Sequence, residues 1–225
     1  MARILYLHGS GHTAESFANQ VLAFAGSEAL ALPGHPTGAP LDTVGELAVW
    51  LAGEVAARAG EPVVICGNSL GAAVALETAL SHPARVAGVI LIGGGARLRV
   101  GGQIFEMIDE DWPGCIDKLV DLSVDAGCPA DLRRRLADMH RVAGQSTTRT
   151  DYAACNSFDV MDRVRGISLP TLIIVGANDQ MTPPKYSTFL RESIAGSELV
   201  VIDGAGHLPH LEQPVAVNAA IAAWL

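Results

Sequence analysis

The sequence predicts an α/β protein whose mostly parallel sheet of about six strands is flanked by helices. Three observations predict it. Short apolar runs recur, most of them continuous rather than alternating, as in strands covered on both faces. Stretches with helical apolar spacing lie between several of them. Turn residues follow each run.

The predicted strands are residues 3–7, 29–32, 62–66, 86–92, 171–175 and 198–202. Residues 41–59 carry Val44, Leu47, Ala48, Leu51 and Val55 at helical spacing, and residues 70–80 are rich in Ala and Leu. Residues 187–194 and 215–225 are also helical in pattern. Residues 96–166 break the rhythm: they are more polar and lack strong strand runs. Residues 132–142 read as an amphipathic helix. The expected organisation is therefore a core of residues 1–95 and 167–225, with residues 96–166 as a small helical insertion over the sheet. A separate second domain of that length would have too few large apolar groups for its own core.

Composition narrows the function. Over 225 residues the net charge is −9, and the one compact basic cluster is Arg133, Arg134 and Arg135, read as a solvated helix face. A nucleic-acid partner is not expected. The apolar run at residues 4–7 is too short for a signal peptide, and no run approaches the ~18 apolar residues of a membrane span. A cytoplasmic location is expected, with Cys66, Cys115, Cys128 and Cys155 reduced. Their spacing suits neither a metal nor a CxxC pair, and no cofactor is expected.

The strongest chemical signal is Gly67-Asn68-Ser69-Leu70-Gly71, a G-x-S-x-G pattern between a predicted strand and a predicted helix. A sharp strand-to-helix turn there strains the Ser69 backbone and exposes its hydroxyl. A serine hydroxyl is a weak nucleophile without a base. Of seven histidines, His207 follows the last predicted strand, at the sheet edge where catalytic groups gather, and is taken as the base. His210 is its rival. His82 reads as structural, His140 as solvated, and His8, His12 and His35 as loop residues. Asp179, after the strand at 171–175, is the acid that would orient His207, with Asp203 as rival. The oxyanion hole would use the N–H groups of Leu70 and Ser10, with Gly11 as the fallback for Ser10.

Together these residues resemble the α/β-hydrolase superfamily, in particular its small bacterial carboxylesterases. The likeness rests on Leu7-His8-Gly9, Leu32-Pro33-Gly34-His35, the Ser69 elbow, the run from Pro170 to Gly176 leading to Asp179, and Gly206-His207 with Glu212 and Pro214. The order Ser, Asp, His is the one this fold uses. The resemblance implies that the insertion is a lid. The chain opens almost directly on its first strand, so the sheet is expected to be trimmed. The lid is short, and would leave the pocket open or cover it with residues near 104–112 and 152–158. Relatives with an Asp nucleophile at the elbow, the haloalkane dehalogenases and epoxide hydrolases, are set aside by Ser69.

The expected activity is hydrolysis of a small-molecule ester through an acyl-enzyme, by a monomer or homodimer. A thioester, or a carbon–carbon bond beside a ketone, would fit the same machinery. His8-Gly9-Ser10-Gly11 resembles the loop of the meta-cleavage-product hydrolases, although His12 stands where they usually carry Pro. A catalytically weak ligand receptor of the same fold is the non-enzymatic alternative. Arg97 and Arg99 are read as solvated loop charges, with contact to an anionic substrate as the alternative.

Overall fold

A computed structural model describes residues 3–58, 60 and 62–225. The strands are β1 (Ile4–Leu7), β2 (Glu28–Leu30), β3 (Val63–Asn68), β4 (Val86–Ile92), β5 (Thr171–Gly176) and β6 (Glu198–Ile202). The helices are α1 (Ala18–Ala23), α2 (Val44–Ala57), α3 (Leu70–Ser81), α4 (Gly102–Glu110), α5 (Trp112–Ser123), α6 (Ala130–Ala143), α7 (Gln145–Ser157), α8 (Pro184–Ser193), α9 (Pro209–Glu212) and α10 (Pro214–Trp224). The six strands form one sheet in the order β2-β1-β3-β4-β5-β6, and every pairing is parallel.

Alternate residues of each strand feed opposite cores, as the two-residue period of a strand requires. Leu5, Leu7, Val63, Ile65, Val89, Leu91 and Ile173 pack with α2, α3 and the apolar side of α8. Ile4, Tyr6, Val64, Cys66, Ile90, Ile92, Leu172 and Ile174 pack with Phe17, Phe24, Val217 and Ile221 on the other face. Each fully buried aliphatic side chain is worth about 1.5–3 kcal/mol of transfer free energy. Burial on both faces explains why the strands read as continuous apolar runs.

Local signals set the element ends. Thr43 caps α2: its hydroxyl accepts from the Glu46 N–H, and the Glu46 carboxylate accepts from the Thr43 N–H. The helix therefore starts at Val44 rather than at residue 41. Strand β3 runs two residues beyond its apolar stretch, to Asn68, because Gly67 and Asn68 still pair with Leu91 and Ile92 of β4. Helix α1, only six residues long, was not expected from the sequence.

The chain runs from β1 outward to β2, then returns to β3 on the other side of β1. The carboxyl ends of β1 and β3 therefore flank the switch point, where open parallel sheets form a crevice. Between β4 and β5 the chain forms α4 to α7. Ile116, Val120, Leu136 and Met139 of these helices form a satellite cluster with Leu208 and Leu211. Ile108, Cys115, Leu119 and Tyr152 form another. No helix among the described residues is long and apolar enough to cross a membrane.

Candidate active site

Ser69 sits between β3 and α3 with φ 54° and ψ −113°, a left-handed conformation that non-glycine residues rarely adopt. The turn is tight enough that a Cβ at Gly67 would strike the carbonyl of Gly71, and a Cβ at Gly71 would strike the carbonyl of Leu7. Both positions of the G-x-S-x-G pattern thus need glycine for space. Leu70 is buried at the first turn of α3, and Ser69 is half-buried.

His207 lies on the loop after β6, held by its own N–H on the Ser123 carbonyl (2.8 Å). Its Nδ1 is 2.9 Å from Asp179 Oδ2. A carboxylate only accepts, so Nδ1 carries the proton and Nε2 keeps its lone pair. Nε2 is buried and has no hydrogen-bond partner, Ser69 included. Ser69 and His207 line the same small space. Such contacts are often long in free enzymes and tighten around substrate.

Asp179 is fixed in turn. Its Oδ1 accepts the N–H groups of Met181 (2.9 Å) and Thr182 (2.8 Å). The Thr182 hydroxyl lies 2.8 Å from both Asp179 Oδ2 and the Gly93 carbonyl, and 3.1 Å from His207 Nδ1. Burial alone would raise the Asp179 pKa. The neighbouring His207 and these hydrogen bonds outweigh it and hold the carboxyl below its ordinary value. Thr182 was missed in the sequence. The signal was there in the three-residue spacing after Asp179, which is that of a side chain capping its own turn.

The rivals lie elsewhere. Asp203 is exposed at the turn after β6. His210 is fully buried, stacks on Phe17 at 4.5 Å, and neither of its ring nitrogens has a partner. Burial pushes its pKa down to about 3.

The loop after β1 forms the opposite wall. The Gly11 N–H donates to Asp151 Oδ2 at 2.8 Å, so the fallback oxyanion donor is already engaged. Among the described residues, no protein acceptor takes the N–H of Ser10 or of Leu70. Asp151 comes from α7 and also bonds His35 Nε2 at 2.9 Å. Burial works to lower the His35 pKa, but the Asp151 carboxylate overrides it and the pKa is raised. His8 accepts the Leu32 N–H at Nε2 (3.1 Å), and its Nδ1 lies 2.9 Å from the Gly9 carbonyl. Nothing in a single sequence marked Asp151, one carboxylate on a polar helix.

His140 is a correction. It was expected to be solvated but is 1% exposed, edge-on to His12 at a centroid distance of 5.1 Å. Burial lowers its pKa to about 4 and holds that of His12 well below its ordinary value. Both imidazoles line the space beside Ser69.

That space has two lobes. One, of about 10 Å³, lies toward His12, His140 and Ser123. The other, of about 50 Å³, is bounded by Leu98, Val100, Tyr152, Cys155 and Met181. Cover thus comes from residues 98–100 and from Tyr152 and Cys155 of α7. Residues near 104–112 pack instead into the satellite cluster around Ile108. No group of three or more His, Cys, Asp or Glu among the described residues is placed to hold a metal ion. The four cysteines are free thiols.

The profile of the alpha/beta hydrolase family matches residues 4–220. The chain is 29% identical over 237 residues to the pimeloyl-acyl-carrier protein methyl ester esterase of Neisseria meningitidis, spanning 96% of this chain and 91% of that protein. A solved thermophilic esterase superposes with a TM-score of 0.92 at 31% identity, over 100% of this chain and 90% of the other. An esterase from Exiguobacterium antarcticum gives the same TM-score at 20% identity, a likeness of fold. The chain belongs to the alpha/beta hydrolase family and is an esterase-like hydrolase.

Proposed function

We propose that the chain is a serine esterase that cleaves a small-molecule carboxylic ester through an acyl-enzyme. Ser69 is the nucleophile, His207 the base and Asp179 the residue that orients the base. One observation carries this reading. The His207 ring is pinned at Nδ1 by Asp179 and leaves a bare, buried Nε2 in the space that Ser69 lines.

The Ser69 oxygen adds to the ester carbonyl while its proton passes to His207 Nε2. The oxyanion accepts from the N–H groups of Leu70 and Ser10. The intermediate collapses, and the proton on Nε2 leaves with the alcohol. Water then attacks the acyl-enzyme, giving its proton to Nε2. Collapse of the second intermediate releases the carboxylic acid and returns the proton to Ser69. Residues 96–166 act as the lid, since Leu98, Val100, Tyr152 and Cys155 roof the larger lobe.

The lobe of about 10 Å³ has room for about one water-sized group, so a very small alcohol suits it. The Neisseria relative is named for a methyl ester, which fits that size. The test is hydrolysis of p-nitrophenyl acetate and of methyl esters by wild type and Ser69→Ala. Turnover by wild type, falling about 10⁴-fold or more in the variant, supports the reading. Equal turnover by both proteins contradicts it.

A further inference from the structure

We propose that the esters this site prefers carry a carboxylate at the far end of the acyl group, held in a basic vestibule formed by Arg97, Arg99 and Lys185. The inference rests on the serine-esterase reading and adds the substrate class to it.

Beyond the larger lobe lies a second cavity of about 270 Å³, lined by Arg97, Arg99, Lys185, Met161, Tyr186 and Phe189. Arg99 and Tyr186 line both spaces, so an acyl chain leaving the Ser69 lobe along these two side chains enters the vestibule. The smaller lobe has no room for a chain, which fixes the direction.

The chain has a net charge of −9 and only 15 Lys and Arg residues, yet three of them ring this cavity and no carboxylate among the described residues lines it. The cavity lined by Arg133, Arg134 and Arg141 differs in being lined by Asp117 and Asp121 as well. Arg97 is partly neutralised by Asp159 at 3.7 Å. Among the described residues, Arg99 and Lys185 have no carboxylate partner within ion-pair distance. On the covering helices Arg133, Arg134, Arg141 and Arg149 each meet an aspartate, and Arg135 meets none among the described residues.

Lys185 is also at the wrong end of its helix. It stands in the first turn of α8, where the helix dipole disfavours a cation. The helix dipole does not account for it; its ammonium lies 5.9 Å from the centroid of the Tyr186 ring that also lines the vestibule, where an anion would be met. The remaining lining, Met161, Tyr186 and Phe189, is apolar and suits the methylene stem of an acyl chain rather than a hydrated inorganic ion.

The test pairs two methyl esters of equal acyl length, one ending in a carboxylate and the other in a primary amide. Each is assayed with wild type and with the double variant Arg99→Gln, Lys185→Gln. The readout is the ratio of kcat/KM for the two esters, which cancels any general loss of activity. The expected result is a wild-type ratio of about tenfold or more in favour of the carboxylate at low salt. It falls toward one in the double variant and at high salt. The free acid products, tested as inhibitors of p-nitrophenyl acetate hydrolysis, should show the same order. A wild-type ratio near or below one, a ratio unchanged in the double variant, or equal inhibition by the two acids overturns the proposal. Failure of the serine-esterase reading looks different: Ser69→Ala would then hydrolyse the amide-ended ester as fast as wild type.

Discussion

Two sides of the site hold their histidines in opposite ways. On the side built after β4, β5 and β6, the groups that orient the His207 ring come from loops at the sheet edge: Asp179, Thr182 and the Gly93 carbonyl. On the side after β1, the loop with the expected oxyanion donor is tied to Asp151 of a covering helix, and His8, His12 and His140 are buried without a carboxylate. The difference teaches that the ring of the proposed base is oriented from the sheet edge, with only its backbone N–H resting on Ser123 of a covering helix, whereas the loop of the proposed oxyanion donor is tied to the cover by a side chain. It also separates an imidazole that can work as a base from those that cannot. His207 and His12 face the same space, but only His207 has an acceptor that fixes its proton at Nδ1.

The largest effect should come from the first side. Asp179→Asn replaces an acceptor with a group that can donate, which favours the wrong tautomer of His207. We expect kcat to fall about 10⁴-fold with the fold intact by circular dichroism. A loss below tenfold would mean that the sheet-edge loops orient His207 without its acid.

The next effect is on stability, and it belongs to the other side. His8, His12 and His140 have pKa values depressed by burial, to about 3 for His8 and about 4 for His140. The unfolded chain therefore binds more protons than the fold once the pH drops below the free histidine value of about 6.5. Each such histidine lowers stability by about 1.4 kcal/mol per pH unit in that window. His35 has the opposite sign. Its pKa is raised, so its contribution is complete below about 6.5 and fades as the pH climbs through its folded value. His210, depressed to about 3, acts in the same direction, so with four histidines against one the urea midpoint should fall steeply between pH 6.5 and 5. A flat midpoint across that range would contradict the neutral, buried state of these rings.

A smaller effect tests the tie between cover and loop. Asp151→Asn keeps the size of the side chain but removes the charge that holds Gly11 N–H and His35. Because losing one oxyanion donor costs about 10²–10³ in rate, misplacing its loop should cost less, about tenfold to a hundredfold in kcat. KM should change little, and Asp151→Glu should restore part of the rate. A rise in KM alone would place Asp151 in substrate binding rather than loop positioning.

The smallest effect is at Thr182. Thr182→Val keeps the shape and removes one hydroxyl beside Asp179, worth about 1 kcal/mol, so kcat should fall several-fold. No change would mean that the two N–H groups on Asp179 Oδ1 suffice to hold it.

How far the sequence could be read follows the same division. Ser69, Asp179 and His207 each stand just after a continuous apolar run, and such runs are legible because both faces of the sheet are covered. A mostly parallel sheet followed from the same runs, and the structure pairs every strand in parallel. The cover was legible only as helical. Helices α6 and α7 carry polar sequences, so a buried His140 or Asp151 looks like any solvated residue until the chain is folded. Helix α6 shows this most plainly. Its run from Asp131 to Arg141 is mostly charged, yet His140 is one of the most buried side chains in the molecule. Asp179, by contrast, could be chosen over Asp203 because it lies at the carboxyl end of a fully buried strand, whereas β6 is half-exposed at the sheet edge.

The central claim is that Ser69 is made nucleophilic by a histidine aligned from the sheet edge. The most direct measurement is the rate at which a fluorophosphonate labels the protein, with the modified residue identified by peptide mass spectrometry. The account predicts a single adduct on Ser69, formed rapidly by wild type and at least a hundredfold more slowly by His207→Ala. Labelling at another residue, or labelling of Ser69 at the same rate without the imidazole, would contradict it.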